Sequence, residues 1–182
     1  MDTNTEEFNK TVSDLNINKI KEVIEKFTEL KVLIIGDTII DQYVFIETRG
    51  RSMKDPMLST RHLNEKSYAG GVLAVANSLS DFVKEIKVVT LIGNKGSKLE
   101  FIIHNIADNI ELKTFIKENA PTTIKRRYID YYRNNKMFKV EYINDEPISN
   151  ELALEILEYL ENEIPKYDLV IVCDFDHGFI ND

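Results

Sequence analysis

Four small groups of residues carry side chains whose types and spacing could do chemistry. The first follows an apolar run, Val32, Leu33, Ile34 and Ile35, which stops at Gly36 and is succeeded within six residues by two carboxylates, Asp37 and Asp41. A buried strand of an α/β sheet ends in this way when it delivers polar groups to the carboxyl edge of the sheet, where ligands bind. The second is Gly70 and Gly71 in SYAGGVLAVANSL, opening an apolar helix. Paired glycines at a helix start let the backbone approach a ligand and leave unpaired N–H groups facing it. The third is TTIKRRYIDYY, where strand alternation puts Lys125 and Arg127 on one face and Arg126 on the other. Two cations on one face can neutralise a phosphorylated substrate, or can simply form a solvated face. The fourth is Asp174, His177 and Gly178, into which the apolar run DLVIVC empties.

The elements that must position these groups read as an alternation of strands and helices. Apolar residues at Ile20, Val23, Ile24, Phe27 and Leu30 have the spacing of one helical face, with Asn16 or Asn18 as cap, and predict a packing helix outside the chemistry. Lys31 to Ile35 is the first central strand, Gly71 to Phe82 a helix, Ile86 to Ile92 a strand. Ser97 caps a helix running to about Asp108, with His104 structural within it, and Glu111 to Ile116 is a further strand. Between Asp41 and Ala69 the apolar spacing is closer to two, and Gly50 and Pro56 interrupt any helix. Two strands flank a turn at Arg133, Asn134 and Asn135. Ser149 or Asn150 starts a helix with Leu152, Ile156, Leu157 and Leu160 on one side and a solvated glutamate face on the other. Asp168 to Cys173 is the last strand, with Cys173 in the core. The fold class that follows is α/β, a mostly parallel central sheet covered by helices on both faces.

Composition narrows the function. The chain has 182 residues, of which 43% are hydrophobic, enough for a core of one domain or most of one. A formal charge of −8 without a long basic run argues against nucleic acid or an anionic membrane as a general partner. One cysteine precludes an internal disulfide, no stretch is apolar enough to span a bilayer, and the acidic, polar start has no apolar signal region. The expectation is a soluble cytoplasmic protein with a flexible N-terminus over residues 1–16.

Two of the motifs resemble those of the ribokinase-like (PfkB) carbohydrate kinases, and most closely the bacterial heptose-phosphate kinases. Gly36, Asp37, Asp41 and Tyr43 match the Gly-Asp-x-x-x-Asp-x-Tyr strand that holds sugar hydroxyls, and Gly70, Gly71, Val75 and Ala76 match a Gly-Gly-x-x-x-Val-Ala segment that closes over the sugar. The resemblance implies that about residues 42–69 form a small β-hairpin lid, which in the family covers the sugar and often pairs two subunits, so a homodimer through the lid is one implied partner. Arg49 and Arg51 flank the position of the family's lid arginine; either could reach a sugar phosphate or remain a solvated loop arginine. His62 is a lid-surface residue. Pro121, Thr122, Lys125 and Arg127 match Pro-Thr-x-x-Lys-x-Arg, which implies contacts to a phosphorylated substrate.

Asp174, His177 and Gly178 match the family's Asp-Phe-Gly-His-Gly beside the phosphate-transfer region, with Asp176 replacing a glycine. By this resemblance Asp174 would act through Mg²⁺ or water on nucleotide phosphates, and His177 would donate to phosphate or stabilise the turn. Ala74 stands where many members have asparagine, so one hydrogen bond to the sugar is absent, with Asn77 and Ser78 nearby in sequence.

Phosphoryl transfer from ATP with Mg²⁺ also needs an orienting base and an anion hole. The family draws these from a Gly-Ala-Gly-Asp segment that does not occur in these 182 residues, and no P-loop replaces it. The expectation is that residues 17–182 are the N-terminal, sugar-binding part of a kinase domain, truncated before the C-terminal half, that the base lies outside the chain, and that these residues alone do not phosphorylate efficiently. No metal ligand is assigned. The alternatives are a catalytically inactive sugar-binding or regulatory module, and a protein that assembles through its lid. A dinucleotide-binding dehydrogenase is a weak fourth reading, because Gly36 is not followed by GxGxxG.

Overall fold

The computed structural model describes residues 17–180. The N-terminal residues 1–16, expected to be flexible, lie outside that range. The helix foreseen after them is present as α1 (Ile17–Phe27), but none of its residues is buried, Ile20, Val23, Ile24 and Phe27 all remaining at least 40% exposed. The expectation that it packs is therefore corrected. Local periodicity sets the helix, whereas burial needs a surface to lie against, and of this stripe only Leu30, beyond the helix end, packs against the core.

The organising element is β1 (Lys31–Arg51), a strand of 21 residues. It does not stop at Gly36 as its sequence suggested; it changes partners there. Lys31–Asp37 pairs in parallel with β3 (Glu85–Gly93), and Val32–Gly36 pairs on the other side with β7 (Leu169–Cys173). From Thr38 onward β1 runs antiparallel to β2 (Leu58–Gly71), and from Ile40 parallel to β5 (Ile124–Asp130). Two further strands, β4 (Ile110–Lys117) beside β3 and β6 (Asn135–Tyr142) beside β5, complete a seven-stranded, mostly parallel sheet. At the change-over a Cβ on Gly36 would stand 2.1 Å from the Cys173 carbonyl oxygen, so only glycine lets β7 approach.

Helices cover both faces. Val32 and Ile34 point to a core closed by α2 (Val72–Leu79) and α3 (Leu99–Ile103), through Val72, Leu73, Ala76 and Ile102. Leu33 and Ile35 point to a second core closed by α4 (Asn150–Glu163) through Ile156, with Phe115 and Phe179. Burial on both faces is why this half of β1 reads as continuous apolar sequence, each such side chain contributing about 1.5–3 kcal/mol.

Two helix ends differ from the reading. α3 is only five residues long and starts after Lys98, held at φ 57°, not at Ser97. It stops early because the following segment is claimed by side chains: Asn105 Nδ2 donates to the Phe101 carbonyl, and Asn77 bonds both the Asn105 carbonyl and the Ala107 N–H. His104 is exposed, its Nδ1 lying 2.7 Å from the Glu100 carbonyl oxygen. α4 starts as foreseen, the Ser149 hydroxyl accepting from the Leu152 N–H at 3.2 Å. Its glutamate face is solvated except at Glu163, which is 9% exposed and paired with Lys166 and with the equally buried Lys87 of β3.

Candidate functional site

Where β1 leaves the parallel sheet it carries Asp41, Tyr43 and Phe45 along one face of the hairpin it forms with β2. The antiparallel register sets Tyr68 opposite Asp41 and Lys66 opposite Tyr43. On the other side the parallel register sets Lys125 beside Asp41 and Arg127 beside Tyr43. A cleft of about 400 Å³ opens on this face, lined by Asp41, Tyr43, Phe45, Tyr68, Ala69, Gly70 and Ala74. The Tyr43 and Tyr68 rings meet edge to face at 5.8 Å.

Asp41 is ion-paired with Arg127, both side chains being about a quarter exposed (25% and 24%). The same guanidinium lies 5.5 Å from the centre of the Tyr43 ring, so cation–π attraction holds it over the cleft wall. Gly70 leaves room for the carboxylate: a Cβ on it would stand 2.3 Å from Asp41 Oδ2 and would displace that side chain. Gly71 has φ 57°, and its Cβ would stand 2.4 Å from the Asp37 carbonyl oxygen, so the turn into α2 also needs glycine.

Asp37 lies elsewhere. It is 3% exposed and its Oδ2 accepts from the Phe175 N–H at 2.9 Å, tying the turn after β7 to the sheet edge. With Thr38, Lys117, Asn144 and His177 it lines a separate, small cavity of about 20 Å³. The Asp174 group belongs to this second place. Asp174 is exposed and its Oδ1 accepts from the Asp176 N–H at 2.9 Å. His177 Nδ1 lies 2.8 Å from Asp145 Oδ1. Gly178, at φ 79°, packs so closely that a Cβ would stand 2.4 Å from the Glu146 carbonyl oxygen. Lys117 donates to the carbonyls of Asn144, at 2.8 Å, and of Glu146; burial pushes its ammonium below the ordinary value against the pull of Asp145, Glu146 and Asp37.

Arg49 and Arg51 sit at the far end of the hairpin, both exposed, with Arg49 3.7 Å from Glu47. At about 3.3 Å per residue they are roughly 25 Å or more along β1 from Asp41 and do not line the cleft. His62 is exposed on β2. The structure thus gathers Asp41, Tyr43, Gly70, Lys125 and Arg127 at one place and Asp37, His177 and Gly178 at another. Tyr68, Phe45 and Lys66 of the cleft face were not singled out from the sequence, although the alternation of a hairpin in register with Asp41 points to them. Asp145 and Lys117 had no local signal, because their partners are far away in the chain.

Among the described residues no group of three or more His, Cys, Asp or Glu is placed to hold a metal ion. No helix among them is long and apolar enough to cross a membrane.

No protein-family model matches the chain. It is 27% identical over 150 residues to the bifunctional protein HldE of a Nitratiruptor species, covering 82% of this chain and 32% of that protein. It is 26% identical over 159 residues to the bifunctional protein HldE of Haemophilus influenzae (strain PittEE), covering 86% and 32% respectively. The chain therefore spans about a third of the length of the curated relatives it matches. Among solved structures it superposes on a carbohydrate kinase from Agrobacterium tumefaciens with a TM-score of 0.56 and 16% identity, over 79% of this chain and 45% of that one. A phosphofructokinase-2 variant from Escherichia coli superposes with a TM-score of 0.53 and 15% identity, over 84% and 47%. The fold is ribokinase-like. In this ribokinase-like frame the cleft at Asp41 lies where β1 crosses from the parallel sheet into the hairpin, beside the glycine pair that starts α2.

Proposed function

We propose that this chain is the sugar-binding part of a cytoplasmic, ATP-dependent kinase of sugars or sugar phosphates, with the β1–β2 hairpin as its lid. The observation that carries this reading is the cleft lined by Asp41, Tyr43 and Gly70 of β1 and β2, with Lys125 and Arg127 of β5 in register beside Asp41 and Tyr43. A carboxylate held rigid by Arg127 accepts hydrogen bonds from sugar hydroxyls, and the tyrosine rings cover the apolar face of a sugar. Lys125 and Arg127 give the same face positive charge for a phosphate on the substrate. The donor would be ATP with Mg²⁺, as the resemblance implies; transfer itself is not assigned to residues of this chain. The test is calorimetric titration with a panel of sugar phosphates that includes heptose 7-phosphate. Binding that is lost in Asp41→Asn supports the reading; a folded protein that binds no member of the panel overturns it.

A lid-mediated homodimer is a second part of the reading, favoured by the exposed apolar side chains at the tip of the β1–β2 hairpin, Met53, Met57 and Leu58. Light scattering that gives a dimer mass for the wild type and a monomer mass for Leu58→Glu would support it, and a monomeric wild type at high concentration would refute it.

A further inference from the structure

The small cavity at Asp37 and His177 contains a polar atom that the protein leaves unserved. The His177 side chain is 10% exposed and sets its Nδ1 2.8 Å from Asp145 Oδ1. A carboxylate only accepts, so Nδ1 carries the hydrogen of that bond. The other ring nitrogen, Nε2, is buried and meets no hydrogen-bond partner among the described residues. A buried polar atom left in that state costs stability unless something pairs with it. The same ring lines the cavity together with Asp37, Lys117 and Asn144.

Two of these neighbours have capacity to spare. An ammonium has three N–H groups, and Lys117 gives one to the Asn144 carbonyl and one to the Glu146 carbonyl, so a third remains. Asp37 takes the Phe175 N–H on Oδ2, which leaves Oδ1 able to accept. The cavity of about 20 Å³ is room for a single water molecule, which needs roughly 10–15 Å³ and about two to four polar partners. A cation there would face the Lys117 ammonium, and an anion would face the Asp37 carboxylate. Water meets neither objection and serves Nε2 in either protonation state, donating to its lone pair or accepting from its N–H. We propose that this cavity binds one water molecule, held by Lys117 Nζ, Asp37 and His177 Nε2, and that the water clasps the turn after β7 to the carboxyl ends of β1 and β4. His177 is then a positioning residue for that turn, acting through the water on Asp37 and so on the Phe175 N–H. The inference is independent of the sugar-binding reading, since no residue of the Asp41 cleft takes part in it.

The experiment is nuclear magnetic resonance on the full chain. In the wild type, the His177 ring protons should show a cross-peak to a long-lived bound water; a ring with no such cross-peak overturns the proposal without any variant having to fold. Amide hydrogen exchange at Phe175 then reads the clasp. His177→Phe fills the same space but offers nothing to the water, while Asp145→Ala removes only the Nδ1 bond. Exchange at Phe175 should be about tenfold faster in His177→Phe than in Asp145→Ala, and His177→Gln, which keeps a polar group at this position, should return it toward the wild-type rate. Exchange in His177→Phe that is no faster than in Asp145→Ala would mean a dry cavity whose unpaired nitrogen is better replaced by carbon, and would overturn the clasp.

Discussion

Asp37 and Asp41 are the same residue type, four positions apart on one strand, and strand alternation places them on the same side. Their surroundings are nevertheless opposite. Asp37 is 3% exposed, bonds a backbone N–H from across the molecule and lines a cavity of about 20 Å³. Asp41 stands at the edge of an open cleft twenty times larger and pairs with a cation of the hairpin sheet. What separates them is the exchange of strand partners between Gly36 and Ile40. Before it, β1 is enclosed by β3 and β7 and by helices on both faces; after it, the neighbours are β2 and β5 and one face is open. A carboxylate in the first setting organises backbone, and one in the second pairs with a cation beside an open cleft.

That contrast can be attacked at three points. The largest effect is expected at the boundary itself. Gly36→Ala places a methyl group 2.1 Å from the Cys173 carbonyl oxygen and should lower stability by about 3 kcal/mol or more, measured by urea unfolding; a loss below about 1 kcal/mol would show that β7 can move aside. Next, Asp37→Ala leaves the Phe175 N–H unpaired and should cost about 1–3 kcal/mol. Asp41→Ala, with both partners partly solvated, should cost no more than about 1 kcal/mol. Equal losses would erase the distinction between the two sites.

The smallest effect concerns the far end of the hairpin. The Thr48 hydroxyl and the Arg133 N–H hold the Asp130 carboxyl below its ordinary value of 3.8. A carboxyl lowered on folding adds stability that is present above its unfolded value and is lost as pH falls through the folded one. The stability difference between wild type and Asp130→Asn should therefore shrink on acidification below about pH 4; a constant difference from pH 7 to pH 3 would mean that charge plays no part.

Much of this architecture could be read from the chain order. The strand at Val32 to Ile35 declares itself because both its faces are buried, the glycine pair marks the start of α2, and Ser149 marks the start of α4. Lys125 and Arg127 share a face by simple alternation. Other features were not legible. The continuation of β1 through Gly36 is hidden because glycine and aspartate are poor strand formers and only the two sets of neighbours hold them extended. α1 reads as a packing helix since its stripe is regular, yet burial depends on what lies opposite. The length of α3 is cut by two asparagine side chains, its own Asn105 and Asn77, which arrives from α2.

Local pattern thus settles which segments become helix or strand and which residue types stand at their ends, because propensity, capping and periodicity act within a few residues. Motif resemblance adds Asp37, Asp41, Tyr43, Gly70, Arg127 and His177 as candidates for one function. The division of those candidates into two sites came from folding. Asp41 meets Arg127 across 86 positions, Asp37 meets Phe175 across 138, and His177 meets Asp145 across 32. Hydrogen bonds and ion pairs are short-ranged, so side chains this far apart in the chain can pair only after the sheet has brought their strands and loops together.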